Sequence, residues 1–122
     1  MNNATQNFVR PGYEVRLDPD FPHAPSEWSR EIAEELARKE GLTLTEVHWR
    51  VMRALQEFYA RHEEPAMNAR ALHDALDEAF HADGGIKYLY RLFPEGPLAQ
   101  GCMLAGLQAP GGSRDQGFGS AV

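Results

Sequence analysis

The sequence of 122 residues contains a single cysteine, Cys102, and that scarcity excludes several kinds of site. One thiol cannot form an intramolecular disulfide, a CxxC redox pair or a zinc site built from cysteines. The chain also lacks an apolar run of the roughly 20 residues that a membrane span needs. Residues 1–7 are polar and carry no apolar signal-peptide core, so we expect a cytoplasmic protein with a reduced thiol and no membrane partner.

Basic residues are also in short supply, with 12 Lys and Arg against 18 Asp and Glu. The resulting net charge of −6 argues against nonspecific binding of nucleic acid, which requires a positive face. Glycine-rich phosphate loops of the forms GxGxxG and GxxxxGK[ST] are absent. The length indicates one domain, long enough to bury a single core without disulfides or metals.

What the sequence does contain is helical periodicity, which predicts a mainly α fold: a small bundle of about five helices. Candidate N-caps at Ser26 and Thr45 precede apolar residues at helical spacing, and a third helix is predicted from about Asn68 to Ala82. Gly41 and Pro65 end the first two predicted helices. The fourth covers Ile86–Phe93, and the fifth starts at Gly96-Pro97 and ends at Gly106.

The residues before the helices predict a short β-hairpin over Phe8–Leu17. Pro11-Gly12 is a turn dipeptide, and Tyr13–Leu17 alternates apolar and polar side chains as a half-buried strand does. Residues 108–122 are rich in glycine and poor in apolar side chains, which is typical of a flexible arm. We therefore divide the chain into a disordered start (1–7), a helical domain (8–107) and a flexible C-terminal arm (108–122).

Three polar residues of the third helix have a spacing that a metal site could use. His73, Asp77 and His81 follow one another at i, i+4 and i+8. No HExxH motif accompanies them, and they alternate with the apolar stripe as residues of a solvated face do. We therefore predict no metal and no cofactor.

Two further patterns have an ordinary structural interpretation. His48 stands in the first turn of the second helix, and without a nucleophile motif it indicates packing or a local hydrogen bond rather than a catalytic base.

Helices two and three could form a helix-turn-helix. The third helix carries Arg70 among acidic residues, however, so its charge would repel phosphates.

Cys102 itself has two interpretations. It lies on the apolar side of the last predicted helix, as a buried cysteine that packs like a small hydrophobic residue would. The alternative is a reactive thiol, for which Arg91, eleven residues upstream, could supply the positive charge that favours a thiolate.

The C-terminal third contains a combination of residues that resembles the DsrC/TusE family of sulfur-relay proteins, which includes the gamma subunit of dissimilatory sulfite reductase. The resemblance covers Phe8 to Ser113. It is carried by residues 88–97 (YLYRLFPEGP), Gln100, Cys102, Ala105-Gly106-Leu107 and Pro110, and upstream by Glu27-Trp28-Ser29, Gly41-Leu42-Thr43-Leu44-Thr45, His48-Trp49, Phe58-Tyr59 and Pro65.

The resemblance implies a small helical bundle with an N-terminal hairpin, and a chemistry based on the arm. In the family, a cysteine at the penultimate position of the arm takes up sulfur as a persulfide, and DsrC pairs it with an inner cysteine. Cys102 matches the inner cysteine, whereas the position of the arm cysteine is occupied by Ser113. A serine hydroxyl can neither hold a persulfide nor form a disulfide.

These observations lead to one main hypothesis: a DsrC-like protein of sulfur metabolism that acts by protein binding, in a regulatory or accessory role. Its expected partners are sulfite-reductase-like or sulfur-relay proteins, and it is at most a sulfur-transfer protein rather than an enzyme of another kind. The expected binding residues are Arg91, Phe93, Pro94, Gly96 and Pro97, with the arm from Leu107. The alternatives are a single-thiol carrier that accepts persulfide sulfur on Cys102, and a DNA-binding regulator.

Overall fold

The described part of the chain contains five α-helices, and the predicted helical bundle is confirmed. The structure is a computed structural model that describes residues 18–62 and 68–110. In chain order the helices are α1 (Arg30–Lys39), α2 (Glu46–Arg61), α3 (Ala69–Ala79), α4 (Gly85–Leu92) and α5 (Ala99–Ala105), and a 3-10 turn (His81–Asp83) connects α3 with α4. No helix in these ranges is long and apolar enough to cross a membrane.

The predicted N-terminal β-hairpin is wrong, because every regular element within 18–62 and 68–110 is helical and none is a strand. The stretch assigned to it, Phe8–Leu17, lies outside the described residues. The signal was weak in physical terms, since five alternating residues beside a turn specify at most a two-stranded ribbon, which is marginally stable alone. Residues 1–7 and 111–122 also lie outside the described part, so the division into domain and arm stays a prediction.

Helix α2 packs mainly along α5, which also contacts α1. Its N-cap is Thr45, as predicted, and its buried face carries Val51, Met52 and Leu55. These three side chains are completely buried, as expected for a helix covered along its apolar stripe.

Helix α1 begins later than predicted. Its N-cap is Ser29 rather than Ser26, and the Ser29 hydroxyl accepts a hydrogen bond from the backbone N–H of Ile32 at 3.2 Å. Ala33 and Ala37 of this helix are buried, whereas Ile32 is 43% exposed. Two serines offered the same local capping signal, and tertiary contacts decided between them.

Asp77 has a structural partner at the junction of α3 and α4. Its Oδ1 atom accepts a hydrogen bond from the backbone N–H of Ile86 at 2.8 Å, which satisfies a free donor in the first turn of α4. Helix α3 itself begins after Asn68, as predicted. Within 18–62 and 68–110, no group of three or more His, Cys, Asp and Glu side chains is arranged to hold a metal ion.

Helix α5 ends at Gly106, as predicted, in a left-handed turn. Gly106 adopts the left-handed conformation with φ of 81°, and the N–H of Leu107 reaches back to the carbonyl of Cys102 at 2.8 Å. Glycine is required here for space as well as conformation, because a Cβ atom would lie 2.9 Å from Cδ1 of Trp28.

Replacing Gly106 with alanine should therefore cost more stability than the same change at Gly41. Gly41 also has a positive φ, of 70°, but a Cβ atom there meets nothing within 4 Å. Gly41→Ala should lower the free energy of unfolding by about 1–2 kcal/mol from backbone strain, and Gly106→Ala by about 1–3 kcal/mol more from the collision with Trp28. Urea denaturation measures both losses, and equal losses would show that Trp28 does not constrain this turn.

Candidate functional site

The single cysteine lies at the middle of α5 and is completely buried. Its Sγ atom lies 3.7 Å from the hydroxyl oxygen of Tyr59, on α2. Burial raises the pKa of the Cys102 thiol to about 12, and the hydrogen bond with Tyr59 opposes that rise only in part. At neutral pH the group is therefore a protonated thiol, which is neither a nucleophile nor a metal ligand.

The structure does not bring Arg91 to this thiol. Arg91 lies in the last turn of α4 with its side chain exposed, and it is not among the groups that shift the pKa of Cys102. The interpretation of Cys102 as a buried packing residue is therefore the one that the described geometry favours.

Three side chains from distant parts of the sequence hydrogen-bond to carbonyls at the end of α5. Trp28 Nε1 donates to the carbonyl of Leu104 at 2.7 Å, and Gln56 Nε2 donates to that of Ala105 at 2.9 Å. Beyond the glycine turn, the hydroxyl of Tyr59 donates to the carbonyl of Gln108 at 2.7 Å. The last carbonyls of a helix have no partner within it, so these donors both satisfy them and fix where the chain leaves the bundle.

The sequence interpretation missed the role of these donors. Tyr59 enters the sequence analysis only as part of the family resemblance, and no motif points to Gln56. Gln56 is 1% exposed and follows the buried Leu55 directly on α2. A glutamine at the edge of an apolar stripe is the signal that could have found it, because a buried amide needs hydrogen-bond partners.

The predicted binding residues divide into buried and exposed groups. Phe93 and Pro97 are buried, and Gly96 and Leu107 are half-buried, whereas Arg91 and Pro94 are exposed. Ser113 lies outside the described residues. Any contribution of Phe93 and Pro97 to binding is therefore indirect. It comes through the shape that they give to residues 93–97, the segment between α4 and α5.

His48 anchors this segment from α2. Its Nε2 atom lies 2.8 Å from the carbonyl of Leu92, and its Nδ1 atom accepts a hydrogen bond from the backbone N–H of Thr45 at 2.9 Å. A carbonyl can only accept and a backbone N–H can only donate, so the ring is neutral with its proton on Nε2. The ring also packs edge-on against Phe93, 5.0 Å between centroids. The structural interpretation of His48 is confirmed.

Gln100 anchors the other end of the same segment. Its Oε1 atom accepts a hydrogen bond from the N–H of Glu95 at 3.2 Å, and its Nε2 atom donates to Oε1 of Glu40 at 3.1 Å. Residues 93–97 are thus held between α2 and the end of α1, with Arg91 and Pro94 displayed on the outside.

The fold and this site define a class of protein: a small helical scaffold that holds a buried thiol in its last described helix, just before a glycine turn. A family model described as DsrC like protein matches residues 12–113. The chain therefore belongs to the DsrC/TusE family, a family of sulfur-relay proteins.

Individual relatives agree with this assignment. The sulfurtransferase TusE of Photorhabdus laumondii is 40% identical over 102 residues, covering 81% of this chain and 90% of the relative. The TusE of Sodalis glossinidius is 43% identical over 86 residues, covering 69% of this chain and 78% of the relative. The NMR structure of Allochromatium vinosum DsrC matches with a TM-score of 0.59 at 38% identity, over 70% of this chain and 76% of that one.

The neutral state of His48 predicts a dependence of stability on pH. Burial lowers the pKa of His48 below its ordinary 6.5, so below pH 6.5 the unfolded chain binds a proton that the folded chain does not. Its contribution to stability is therefore present above pH 6.5 and is lost as the pH falls. Between pH 7 and pH 5 we expect a loss of up to about 2 kcal/mol from this residue.

His48→Gln isolates that contribution, because the other histidines remain in both proteins. Urea denaturation across this pH range should show the wild type losing stability more steeply than the variant, with the variant less stable at pH 7 by about 1–3 kcal/mol. Parallel pH profiles would contradict the assignment of a neutral, hydrogen-bonded ring.

Proposed function

We propose that this chain acts within sulfur metabolism by binding other proteins, as a regulatory or accessory component rather than as a sulfur carrier. The observation that carries the proposal is the state of Cys102, a protonated thiol with no exposed surface. Accepting a persulfide sulfur requires a thiolate that the donor can reach. The resemblance places Ser113 at the position of the arm cysteine, and its hydroxyl cannot replace a thiol.

The partners proposed are sulfite-reductase-like or sulfur-relay proteins of the cytoplasm. Support comes from the last turn of α4, where Arg91 is exposed, and from the segment that joins α4 to α5, in which Phe93 is buried while Pro94 faces outward. A rigid segment loses little conformational entropy on binding, and arginine is enriched among residues that dominate interfaces. The second proposed contact is the C-terminal arm from Leu107, which follows α5 in the chain.

Exposure to a persulfide donor separates the binding role from that of a single-thiol carrier. Intact-mass measurement after a brief exposure should show no added sulfur on the native protein, because Cys102 has no exposed surface in the folded structure. The same treatment in urea should add sulfur to the wild type and none to Cys102→Ala, which verifies the reagent. Addition of one sulfur atom to the native wild type but not to Cys102→Ala would contradict the proposal and favour the carrier.

Binding through the segment predicts different effects of two exposed cations on α4. Arg91→Ala should weaken binding to a purified sulfur-relay or sulfite-reductase partner by about tenfold, the effect of losing a residue that contributes strongly to an interface. Lys87→Ala removes the same charge one helical turn earlier and should change the affinity less than about twofold. Titration calorimetry measures both, and equal losses would indicate general electrostatic attraction in place of a specific site.

A further inference from the structure

We propose that the hydroxyl of Tyr59 holds the start of the C-terminal arm against the bundle, and that Cys102 becomes accessible when this contact opens. The residues concerned are 107–110, here called the arm root. The inference goes beyond the binding role proposed above and does not rest on it, since it concerns the isolated protein.

One phenol makes both contacts. The Tyr59 hydroxyl donates its proton to the carbonyl of Gln108 at 2.7 Å, and its oxygen lies 3.7 Å from Sγ of Cys102. A hydroxyl has one proton to donate and two lone pairs to accept with, so it can bond the carbonyl and accept from the thiol simultaneously. The position of the arm root and the environment of the thiol are therefore linked through a single atom.

The bond to Gln108 is the most exposed of the three that hold the end of α5. Those that Trp28 and Gln56 make to the helix carbonyls are buried, whereas the one from Tyr59 to Gln108 faces solvent. Exposed hydrogen bonds open at lower free energy than buried ones, so the arm root separates first while α5 stays in place.

The arm root packs against the core in addition to its hydrogen bond with Tyr59. Leu107 and Ala109 lie against the core, and Pro110 is buried. With these residues in place, the phenol of Tyr59 is fixed at the sulfur and Cys102 is 0% exposed. When the arm root moves away, the phenol of Tyr59 loses its hydrogen bond to the carbonyl of Gln108 and becomes free to rotate. A small reagent can then reach Sγ of Cys102.

The test is the rate at which iodoacetamide alkylates Cys102 in the native protein. Tyr59→Phe keeps the ring and removes only the hydroxyl, and it should raise the rate about five- to tenfold, the effect of losing one hydrogen bond from the closed state. Tyr88→Phe removes a hydroxyl from another half-buried tyrosine that packs against the core from α4, and it should leave the rate unchanged.

The direction of the effect identifies its cause. The hydrogen bond with Tyr59 lowers the pKa of Cys102, so losing it makes the thiol less acidic and, at equal access, slower to react. A faster rate in Tyr59→Phe therefore reports access. An unchanged rate, or an increase no larger than the increase in the globally unfolded fraction, would overturn the proposal.

A second measurement needs no variant. The alkylation rate of the wild type should rise with urea less steeply than the unfolding equilibrium does, because opening of the arm root exposes less surface than global unfolding. Exchange of the Leu107 amide, which bonds the carbonyl of Cys102, should show the same shallow dependence. A dependence as steep as that of global unfolding would mean that Cys102 reacts only in the unfolded chain.

Discussion

The hydrogen bonds that close the C-terminal end of α5 are the constraint on which the arrangement of this protein depends. A helix of seven residues is too short to be stable alone, and its last carbonyls would be left without partners on the inside of a bundle. Trp28 and Gln56 supply those partners. A buried polar group without one costs about 1–3 kcal/mol, so the two donors stabilise the end of α5 that the turn at Gly106 creates.

The same principle governs the segment between α4 and α5, where His48 and Gln100 hold the backbone from both sides. Several of the residues that carry the family resemblance in this region, among them Phe93, Pro97 and Gln100, are therefore buried groups that maintain a shape. What this chain shares with sulfur-relay proteins is therefore, in the first place, the residues that hold the scaffold together. A chain can keep all of these contacts without an arm cysteine, because none of them involves the arm beyond Pro110.

The sequence allowed local features to be predicted and gave little access to distant ones. Thr45, Asn68 and Gly106 end or begin helices where their residue types predict it, because capping is decided within one helical turn. Ser26 and Ser29 could not be distinguished in this way. The nearby Trp28 bonds a carbonyl 76 residues away, and the contacts of Gln56 and Tyr59 with the end of α5 span 49 residues.

The thiol shows why spacing along the chain could not decide its chemistry. Arg91 would favour a thiolate only if it lay close to the sulfur, and the fold leaves it exposed on α4 while α2 covers Cys102 with a phenol. The acidity of the thiol is then set by burial, and its reactivity by how often the cover opens. In the chemistry that the family resemblance implies, a cysteine in this position is a redox partner only where the arm brings a second sulfur to it. In this chain the residue that the resemblance aligns with that second sulfur is Ser113, so opening alone cannot restore the two-cysteine chemistry.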